Sequence, residues 1–324
     1  MNAPTTVLLT DYAWPDDNVE REIIEGAGFK LVSGPATPSP ADAIEALVKQ
    51  HQPAAILTCW APVSAKAINS STNLKHVARL GVGLDNIAVD EATRLNVMVT
   101  NVPDYCVEEV SDHAVGLALA WTRGLVSYDR DVKSGEWNPG GAKLRRLGNL
   151  TCGIIGYGRI GRRTAQKLMA IGSKLIAHDP MPPQSEEGVE FVSLEALLSA
   201  ADVIIVHAPL VPATHHLINS ERLSLTKKGA FLINVSRGGI VDNNALVAAL
   251  ESGQLDGAGL DVLEDEPKVP DALLKHPGVI LTPHVAFSSD ASLLELRRRA
   301  SEEVVRVLRG EAPQNLRNAL KTKS

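Results

Sequence analysis

The sequence has 324 residues, which exceeds the length at which one hydrophobic core keeps growing, so two domains are expected. The 32 basic and 38 acidic residues give a formal net charge of -6, which provides no global field that would attract nucleic acid or an anionic membrane. Three scattered cysteines argue against a disulfide framework and against a cysteine zinc site, while the lack of a signal-peptide pattern or a bilayer-spanning apolar run favours a cytoplasmic protein.

The first hundred residues alternate short strand-like runs with amphipathic helical stretches. Apolar positions in residues 18–27 recur at helical spacing, and Gly28 then predicts the end of that helix. Such alternation is typical of βαβ units that form a parallel sheet. The predicted strands are 7–10, 54–58 and 77–80, and the predicted helices are 18–27, 41–49 and 90–95.

A second alternating series follows a long helical pattern over about residues 107–134. Its six predicted strands, with helices between them, match a doubly wound dinucleotide-binding domain. These strands are 153–155, 174–177, 203–206, 230–233, 257–260 and 279–281. A last helix, about 290–309, lies beyond the sixth strand and is able to return to the first domain. We interpret its three consecutive arginines, 297–299, as part of a solvated helix face, because glutamates accompany them.

Residues 156–161 form a glycine-rich motif, G-x-G-x-x-G, between a predicted strand and a predicted helix. That context is the one a dinucleotide-binding loop requires. Gly156 permits the tight turn, Gly158 the close approach of a pyrophosphate, and Gly161 the packing of helix on strand. The N–H groups of Arg159 and Ile160, at the helix start, are expected to face the phosphates.

The cofactor is predicted to be NAD. Asp179 ends the next predicted strand, 18 residues after Gly161, close to the spacing expected for the carboxylate that binds the ribose hydroxyls. Its negative charge opposes the 2′-phosphate of NADP, and the two residues that follow it offer no compensating cation.

Four further segments, residues 79–87, 234–239, 260–267 and 282–284, resemble the D-2-hydroxyacid dehydrogenase family. The resemblance implies two Rossmann-like, doubly wound α/β domains. A discontinuous substrate domain, residues 1–101 plus 286–324, would flank a central NAD-binding domain, residues 102–285. It further implies an active site in the cleft between these domains and a homodimer built through the long helix after Val107.

The same resemblance implies the catalytic residues. Arg237 would clamp the substrate carboxylate, since its planar fork pairs with a carboxylate. Backbone N–H groups of a loop, Gly81, Val82 and Gly83, would bind the other side of that carboxylate. His284 would transfer the proton, and Glu266 would orient its ring and favour its charged form.

The remaining implied contacts concern the cofactor, and Asp261 among them is expected near the nicotinamide amide. His207 is expected to line the cofactor pocket without transferring a proton. No metal site is predicted, because the adjacent His215 and His216 are expected to point apart. The full set of expected cofactor contacts beyond the glycine loop and Asp179 is His207, Pro209, Thr214, Val235, Ser236, Arg237, Asp261, His284 and Ala286.

The predicted function is NAD-dependent hydride transfer between the nicotinamide and a small 2-hydroxy or 2-keto acid, of glyoxylate or hydroxypyruvate reductase type. Two alternatives stay open. Phosphite oxidation uses a similar anion clamp, and an NAD-sensing binding protein, as among the co-repressor relatives, would use the cofactor to control assembly. Formate dehydrogenase is disfavoured because Glu266 stands where that pattern has Gln.

Overall fold

The computed structural model describes residues 4–12 and 14–320. They divide into two compact units. Unit 1 comprises the described residues up to Tyr105 together with those from Ser289 onward, and unit 2 is Cys106–Ser288. Within this described part of the chain, no helix combines the length and apolar character needed to cross a membrane.

The elements are numbered here in chain order. The strands are β1 Thr6–Leu9, β2 Lys30–Ser33, β3 Ala55–Thr58, β4 His76–Arg79, β5 Met98–Thr100, β6 Thr151–Ile155, β7 Lys174–His178, β8 Val189–Phe191, β9 Val203–Val206, β10 Ala230–Asn234, β11 Leu255–Leu260 and β12 Val279–Leu281. The α-helices are α1 Asn18–Gly26, α2 Ala41–His51, α3 Ala65–Asn69, α4 Val89–Arg94, α5 Val107–Thr122, α6 Leu125–Lys133, α7 Arg159–Ile171, α8 Leu194–Ala200, α9 Ser220–Ser224, α10 Asn243–Glu251, α11 Asp271–Lys275 and α12 Asp290–Leu308.

Unit 1 is built on a five-stranded parallel sheet with the order β2-β1-β3-β4-β5. Residues of β1, β3 and β4 such as Leu8, Ile56 and Val77 are fully buried, as expected for a parallel sheet covered on both faces. The edge strands β2 and β5 were not predicted, because β2 is only partly apolar and β5 has three residues.

Helix α12 packs in unit 1, mainly against α1. The interpretation of its basic run as a solvated face is wrong for Arg297, whose guanidinium pairs with the fully buried Glu20 at 2.8 Å and lies over the Trp14 ring. A buried carboxylate is costly without such a partner. Arg298 does fit a solvated face, since it is exposed and pairs with Glu302 along the helix.

Unit 2 carries a seven-stranded parallel sheet with the order β12-β11-β10-β9-β6-β7-β8. The order reverses between β6 and β9, and ligands of such sheets bind at the carboxyl edge of this switch point. All six predicted strands are present. The seventh, β8, is a half-exposed edge strand of three residues, which explains why its sequence pattern was too weak to predict.

The long helix predicted over residues 107–134 is two helices, α5 and α6. The break lies at Gly124, whose φ of 60° is left-handed. A Cβ at this position would come within 2.5 Å of the Tyr128 ring, so glycine avoids both this contact and the strain of a left-handed φ. The prediction of one continuous helix was wrong because the break depends on this single residue.

Candidate active site

The glycine motif forms the turn between β6 and α7, at the switch point of unit 2. Gly156 has a left-handed φ of 92°, and a Cβ there would meet the backbone of Ala208 at 2.7 Å. A Cβ on Gly161 would lie 2.1 Å from the carbonyl oxygen of Gly156. Gly158 differs, because a Cβ there would touch nothing within 4 Å.

This open space fits a dinucleotide pyrophosphate. Gly158 is the N-cap of α7 and provides no side-chain cap for the first N–H groups of the helix, including those of Arg159 and Ile160. Uncapped N–H groups and the helix dipole together favour a bound anion. The two packed glycines therefore hold the turn against its neighbours, while Gly158 keeps the approach to the helix end clear.

Asp179 directly follows β7 and contacts the glycine turn. One of its carboxylate oxygens accepts a hydrogen bond from the N–H of Tyr157 at 2.8 Å, and the other accepts one from the N–H of Met181 at 2.8 Å. Since each carboxylate oxygen has two acceptor sites, the side chain retains capacity for ribose hydroxyls. Sequence reasoning did not predict that Asp179 also fixes the turn.

The remaining expected cofactor residues of this edge follow β9 and β10. His207 follows β9, and its Nε2 lies 2.9 Å from the hydroxyl of Thr164 on α7. Burial lowers the pKa of His207 to about 3, so the ring is neutral at physiological pH and is a poor proton donor. After β10, the Ser236 hydroxyl donates to the carbonyl of Ala208. Thr214, in the loop after β9, donates to the carbonyl of Pro209 at 2.6 Å.

Glu266 and His284 form a hydrogen-bonded pair. Nδ1 of His284 lies 2.8 Å from one carboxylate oxygen of Glu266, and the other oxygen accepts from the N–H of Leu263 at 2.9 Å. Burial acts to raise the pKa of Glu266, but the hydrogen bond and charge of His284, with the positive charge of Arg237, lower it overall. The carboxylate is therefore charged at neutral pH, and Nε2 is the ring nitrogen that does not contact it.

Asp261, which follows β11, holds the segment that carries His284. This carboxylate is 3% exposed and accepts hydrogen bonds from the hydroxyl of Thr282 at 2.6 Å and from the N–H groups of Val285 and Ala286 at 2.9 Å. The backbone N–H of His284 donates to the Asp261 carbonyl at 2.8 Å. Asp261 therefore positions this loop. The sequence-based prediction placed it only near the nicotinamide amide and did not include this role.

His113 on α5 extends this network and was missed by sequence reasoning. Its Nε2 lies 3.0 Å from the Thr282 hydroxyl. That hydroxyl has one proton, which it donates to Asp261, so it accepts from His113. No local motif could have indicated this, because 169 residues separate the two partners.

Arg237 lies in the turn after β10, and its charge acts on Glu266. The next residue, Gly238, explains how the turn approaches Leu263. A Cβ on Gly238 would lie 1.9 Å from the backbone of Leu263, so only glycine permits this contact. The absence of a side chain at Gly238 therefore allows the segments that carry Arg237 and Glu266 to lie close together.

In unit 1, the loop Gly81–Gly83 follows β4, and the carbonyls of Gly81 and Val82 accept hydrogen bonds. The Gly81 carbonyl accepts from the N–H of Val102 at 3.1 Å, and the Val82 carbonyl accepts from Nδ2 of Asn101 at 2.6 Å. In a trans peptide the N–H points opposite to the carbonyl. The N–H groups of Val82 and Gly83 consequently face away from these partners, and neither donates to a described residue. We call these two N–H groups the Val82–Gly83 nest, a candidate anion-binding site.

His215 and His216 lie together, so the expectation that they point apart is wrong. Their rings stack at 4.0 Å because His216 adopts a left-handed φ of 49°. Together with Glu264 they are a possible metal-ligand group. However, nitrogen ligands bind a metal along lone pairs in the ring plane, and two nearly parallel rings at this distance cannot both direct one at the same ion. Instead, Nε2 of His216 lies 2.5 Å from Glu264, which joins their two segments.

Comparison with known proteins assigns the family. Residues 115–286 match the family model described as the D-isomer specific 2-hydroxyacid dehydrogenase, NAD binding domain. A glyoxylate reductase of Korarchaeum cryptofilum is 39% identical, over 79% of this chain and 80% of the relative. A hydroxypyruvate reductase of Thermotoga maritima is 38% identical, over 75% of this chain and 79% of the relative.

A solved structure supports the same assignment. The D-lactate dehydrogenase of Aquifex aeolicus, complexed with NAD and lactic acid, superposes with a TM-score of 0.85 and 31% identity, covering 94% of this chain and 96% of that one. The chain belongs to the D-isomer specific 2-hydroxyacid dehydrogenase family. It is an NAD-dependent oxidoreductase with two parallel α/β units, which confirms the predicted fold class, enzyme class and cofactor.

Proposed function

We propose that this oxidoreductase reduces a small 2-keto acid to the D-2-hydroxy acid, with glyoxylate and hydroxypyruvate as the favoured substrates. The observation that carries the proposal is the His284–Glu266 pair at 2.8 Å, held by the Asp261 network in the same unit as the glycine turn. An acid-base pair beside a nicotinamide site suits ketone reduction. The relatives named glyoxylate reductase and hydroxypyruvate reductase support the choice of substrate.

Each unit carries a group that would bind a carboxylate. In unit 1, the nest of Val82 and Gly83 presents two N–H donors. In unit 2, Arg237 presents a planar guanidinium that binds a carboxylate through two parallel hydrogen bonds and polarises an adjacent carbonyl. These anchors would select acids over neutral ketones. In terms of domains, we propose that unit 1 is the substrate domain and unit 2 the NAD-binding domain.

His284 would deliver the proton that the carbonyl oxygen gains. When bound, NADH supplies the hydride. Since Nδ1 of His284 contacts Glu266, the proton is transferred from Nε2. The charged carboxylate of Glu266 stabilises the protonated ring before transfer and fixes its orientation. In the oxidative direction, the same nitrogen accepts the proton from the hydroxy acid.

The direct test is NADH consumption with a panel of 2-keto acids, from glyoxylate and hydroxypyruvate through pyruvate to branched and aromatic acids. We expect the highest kcat/KM for glyoxylate and hydroxypyruvate, and much weaker turnover with NADPH. Tight NADH binding without turnover of any acid would contradict the proposal and favour the NAD-sensing role. NADH formation from NAD+ and phosphite, without turnover of any keto acid, would instead assign the anion clamp to phosphite.

The pH dependence of reduction is expected to depend on Glu266. The pKa of the Glu266 carboxyl is lowered in the folded protein, so wild-type activity should fall as the pH drops through this lowered value and the carboxylate that holds the His284 ring is neutralised. Glu266→Gln has no carboxyl to titrate, so it should be slower than the wild type and should lack this acid limb. The pH profile of kcat/KM measures the difference.

The matched control is Asp265→Asn, which removes a carboxylate from an adjacent, exposed side chain. It is expected to leave the profile unchanged. The contribution of Glu266 to stability has a defined sign, because its pKa is lowered in the folded protein. It is present above the pKa of the unfolded chain and is lost as the pH falls through the lower, folded value. Coincident pH profiles for Glu266→Gln and the wild type would contradict the assignment.

We also propose a homodimer that forms through α5, α6 and the segment that follows them. Several large apolar side chains are exposed there, as expected for a surface that a partner covers. They are Leu125, Val126, Val132, Trp137 and Leu144. Sedimentation velocity should give a dimer mass, and Trp137→Ser should weaken the association. A wild-type monomer at micromolar concentration would contradict this proposal.

A further inference from the structure

The C-terminal segment of unit 1, residues 314–318, returns along the edge strand β5. Leu316 forms an antiparallel bridge with Thr100, and the N–H of Arg317 donates to the carbonyl of Val99 at 2.8 Å. The N–H of Val99 in turn donates to Oδ1 of Asn318 at 2.9 Å. A segment remote in sequence therefore covers the open edge of the sheet.

Two side chains continue from this segment to the loop after β4. Nε of Arg317 donates to Oδ1 of Asn101 at 2.6 Å, and Nδ2 of Asn101 donates to the carbonyl of Val82 at 2.6 Å. Arginine has no acceptor and a backbone carbonyl has no donor. The buried Asn101 amide, 7% exposed, can therefore satisfy both partners in one orientation only.

This chain of hydrogen bonds determines the direction of one donor. The peptide between Val82 and Gly83 has its carbonyl fixed by Asn101, so its N–H is fixed in the opposite direction. Without Asn101, the carbonyl would lose a buried partner and the peptide would be free to rotate. With it, the N–H of Gly83 keeps its direction before an anion binds, which lowers the ordering cost of binding.

We propose that Asn101 and Arg317 are positioning residues, through which the C-terminal segment aims the Gly83 N–H at the substrate carboxylate. This inference rests on the proposed keto acid reduction. Neither side chain needs to touch the substrate. Arg317 acts only through Asn101. This role therefore differs from a direct attraction between the Arg317 guanidinium and the substrate carboxylate.

Attachment of the segment does not depend on the Arg317 side chain. Asn318 is 8% exposed and donates through Nδ2 to the hydroxyl of Thr93 and the carbonyl of Val97. Glu303 on α12 accepts from the N–H groups of Gln314 and Asn315. The Arg317 side chain belongs to an exposed residue, so its removal should leave the segment in place.

The test uses steady-state kinetics of the full chain with hydroxypyruvate and NADH. We expect Asn101→Ala to raise KM about tenfold with kcat within about twofold, because the loop binds a carboxylate that is present in both the ground state and the transition state. Asn101→Asp keeps the size of the side chain and its contact with Arg317 but puts an acceptor against the Val82 carbonyl. It should raise KM at least as much.

Arg317→Ala should raise KM about threefold, and Arg317→Lys should restore most of the loss. Since Arg317 acts through Asn101, the double variant with Asn101→Ala should match Asn101→Ala alone. The matched control is Arg309→Ala, which removes an exposed arginine near the same terminus. It should behave as wild type.

A second readout does not depend on turnover. In amide NMR spectra, the Gly83 signal should shift in Arg317→Ala and stay in place in Arg309→Ala. An unshifted Gly83 signal, unchanged KM in the Asn101 variants, or additive effects in the double variant would each overturn the positioning role. Failure of the wild-type protein to reduce any keto acid would overturn the proposed function instead, and the Gly83 signal would still decide the positioning question.

Discussion

Replacing His284 with alanine is expected to lower kcat for keto acid reduction by roughly 100-fold or more. The physical reason is that a positioned general acid contributes about this factor to a proton transfer. The ring is fixed by Glu266 at 2.8 Å and by the backbone hydrogen bond to Asp261, so another group is not expected to take its place. Rapid-quench or steady-state NADH oxidation at saturating keto acid measures the loss.

The control for this variant is NADH affinity, followed by fluorescence. The glycine turn and Asp179 are separate from the His284 ring in the sequence and in their hydrogen bonds, so the dissociation constant of NADH should change by less than about threefold. His284→Gln, which keeps a donor but cannot change its charge, should be nearly as slow as His284→Ala. Wild-type turnover in either variant would remove His284 from proton transfer.

Replacing Arg237 with alanine is expected to have the second large effect, a fall in kcat/KM for keto acids on the order of a thousandfold. Removing one partner of a desolvated, hydrogen-bonded charge pair costs about 2–5 kcal/mol or more. Both KM and kcat should suffer, because the guanidinium would bind the carboxylate throughout and polarise the carbonyl most strongly in the transition state.

Lysine at position 237 separates charge from geometry. Arg237→Lys keeps the positive charge but loses the planar fork, and we expect it to recover about tenfold of the loss. Lys228→Ala removes an equivalent charge from an exposed position of unit 2 and should have no effect. Equal kcat/KM in the wild type and Arg237→Ala would show that the carboxylate is bound elsewhere.

Local patterns were enough to predict the glycine turn and most strands of both sheets. The turn requires glycine at particular positions. At Gly161, for example, a Cβ would lie 2.1 Å from the Gly156 carbonyl oxygen. This requirement is visible in the sequence as the glycine motif. The buried strands β9 and β10 are apolar runs, so they are also recognisable from the sequence. The edge strands β2, β5 and β8 are short and partly exposed, so hydrophobic periodicity could not reveal them.

Contacts between residues that are far apart in the sequence could not be predicted from local patterns. Arg297 and Glu20 are 277 residues apart, and their pairing makes an apparently solvated arginine a partly buried one. The stacking of His215 on His216 depends on a left-handed φ that histidine rarely adopts. The positioning role of Asn101 likewise depends on a partner 216 residues away.

The proposed catalytic residues follow from a family resemblance, and the structure adds the hydrogen bonds that hold them. Without the resemblance, a histidine at a strand end is as easily a structural cap. The Asp261 carboxylate, with three donors from residues 282–286, explains why this loop holds one shape. That explanation required coordinates, since the three donors follow no sequence motif.

The measurement that tests the central claim most directly is the fate of the hydride. NADH deuterated at both positions of C4 should be incubated with hydroxypyruvate and the enzyme, and the product examined by NMR and chiral chromatography. The account predicts a D-2-hydroxy acid with one deuterium at C2, formed by the wild type and nearly absent with His284→Ala. An L product, a product without deuterium, or no product from any 2-keto acid would contradict it.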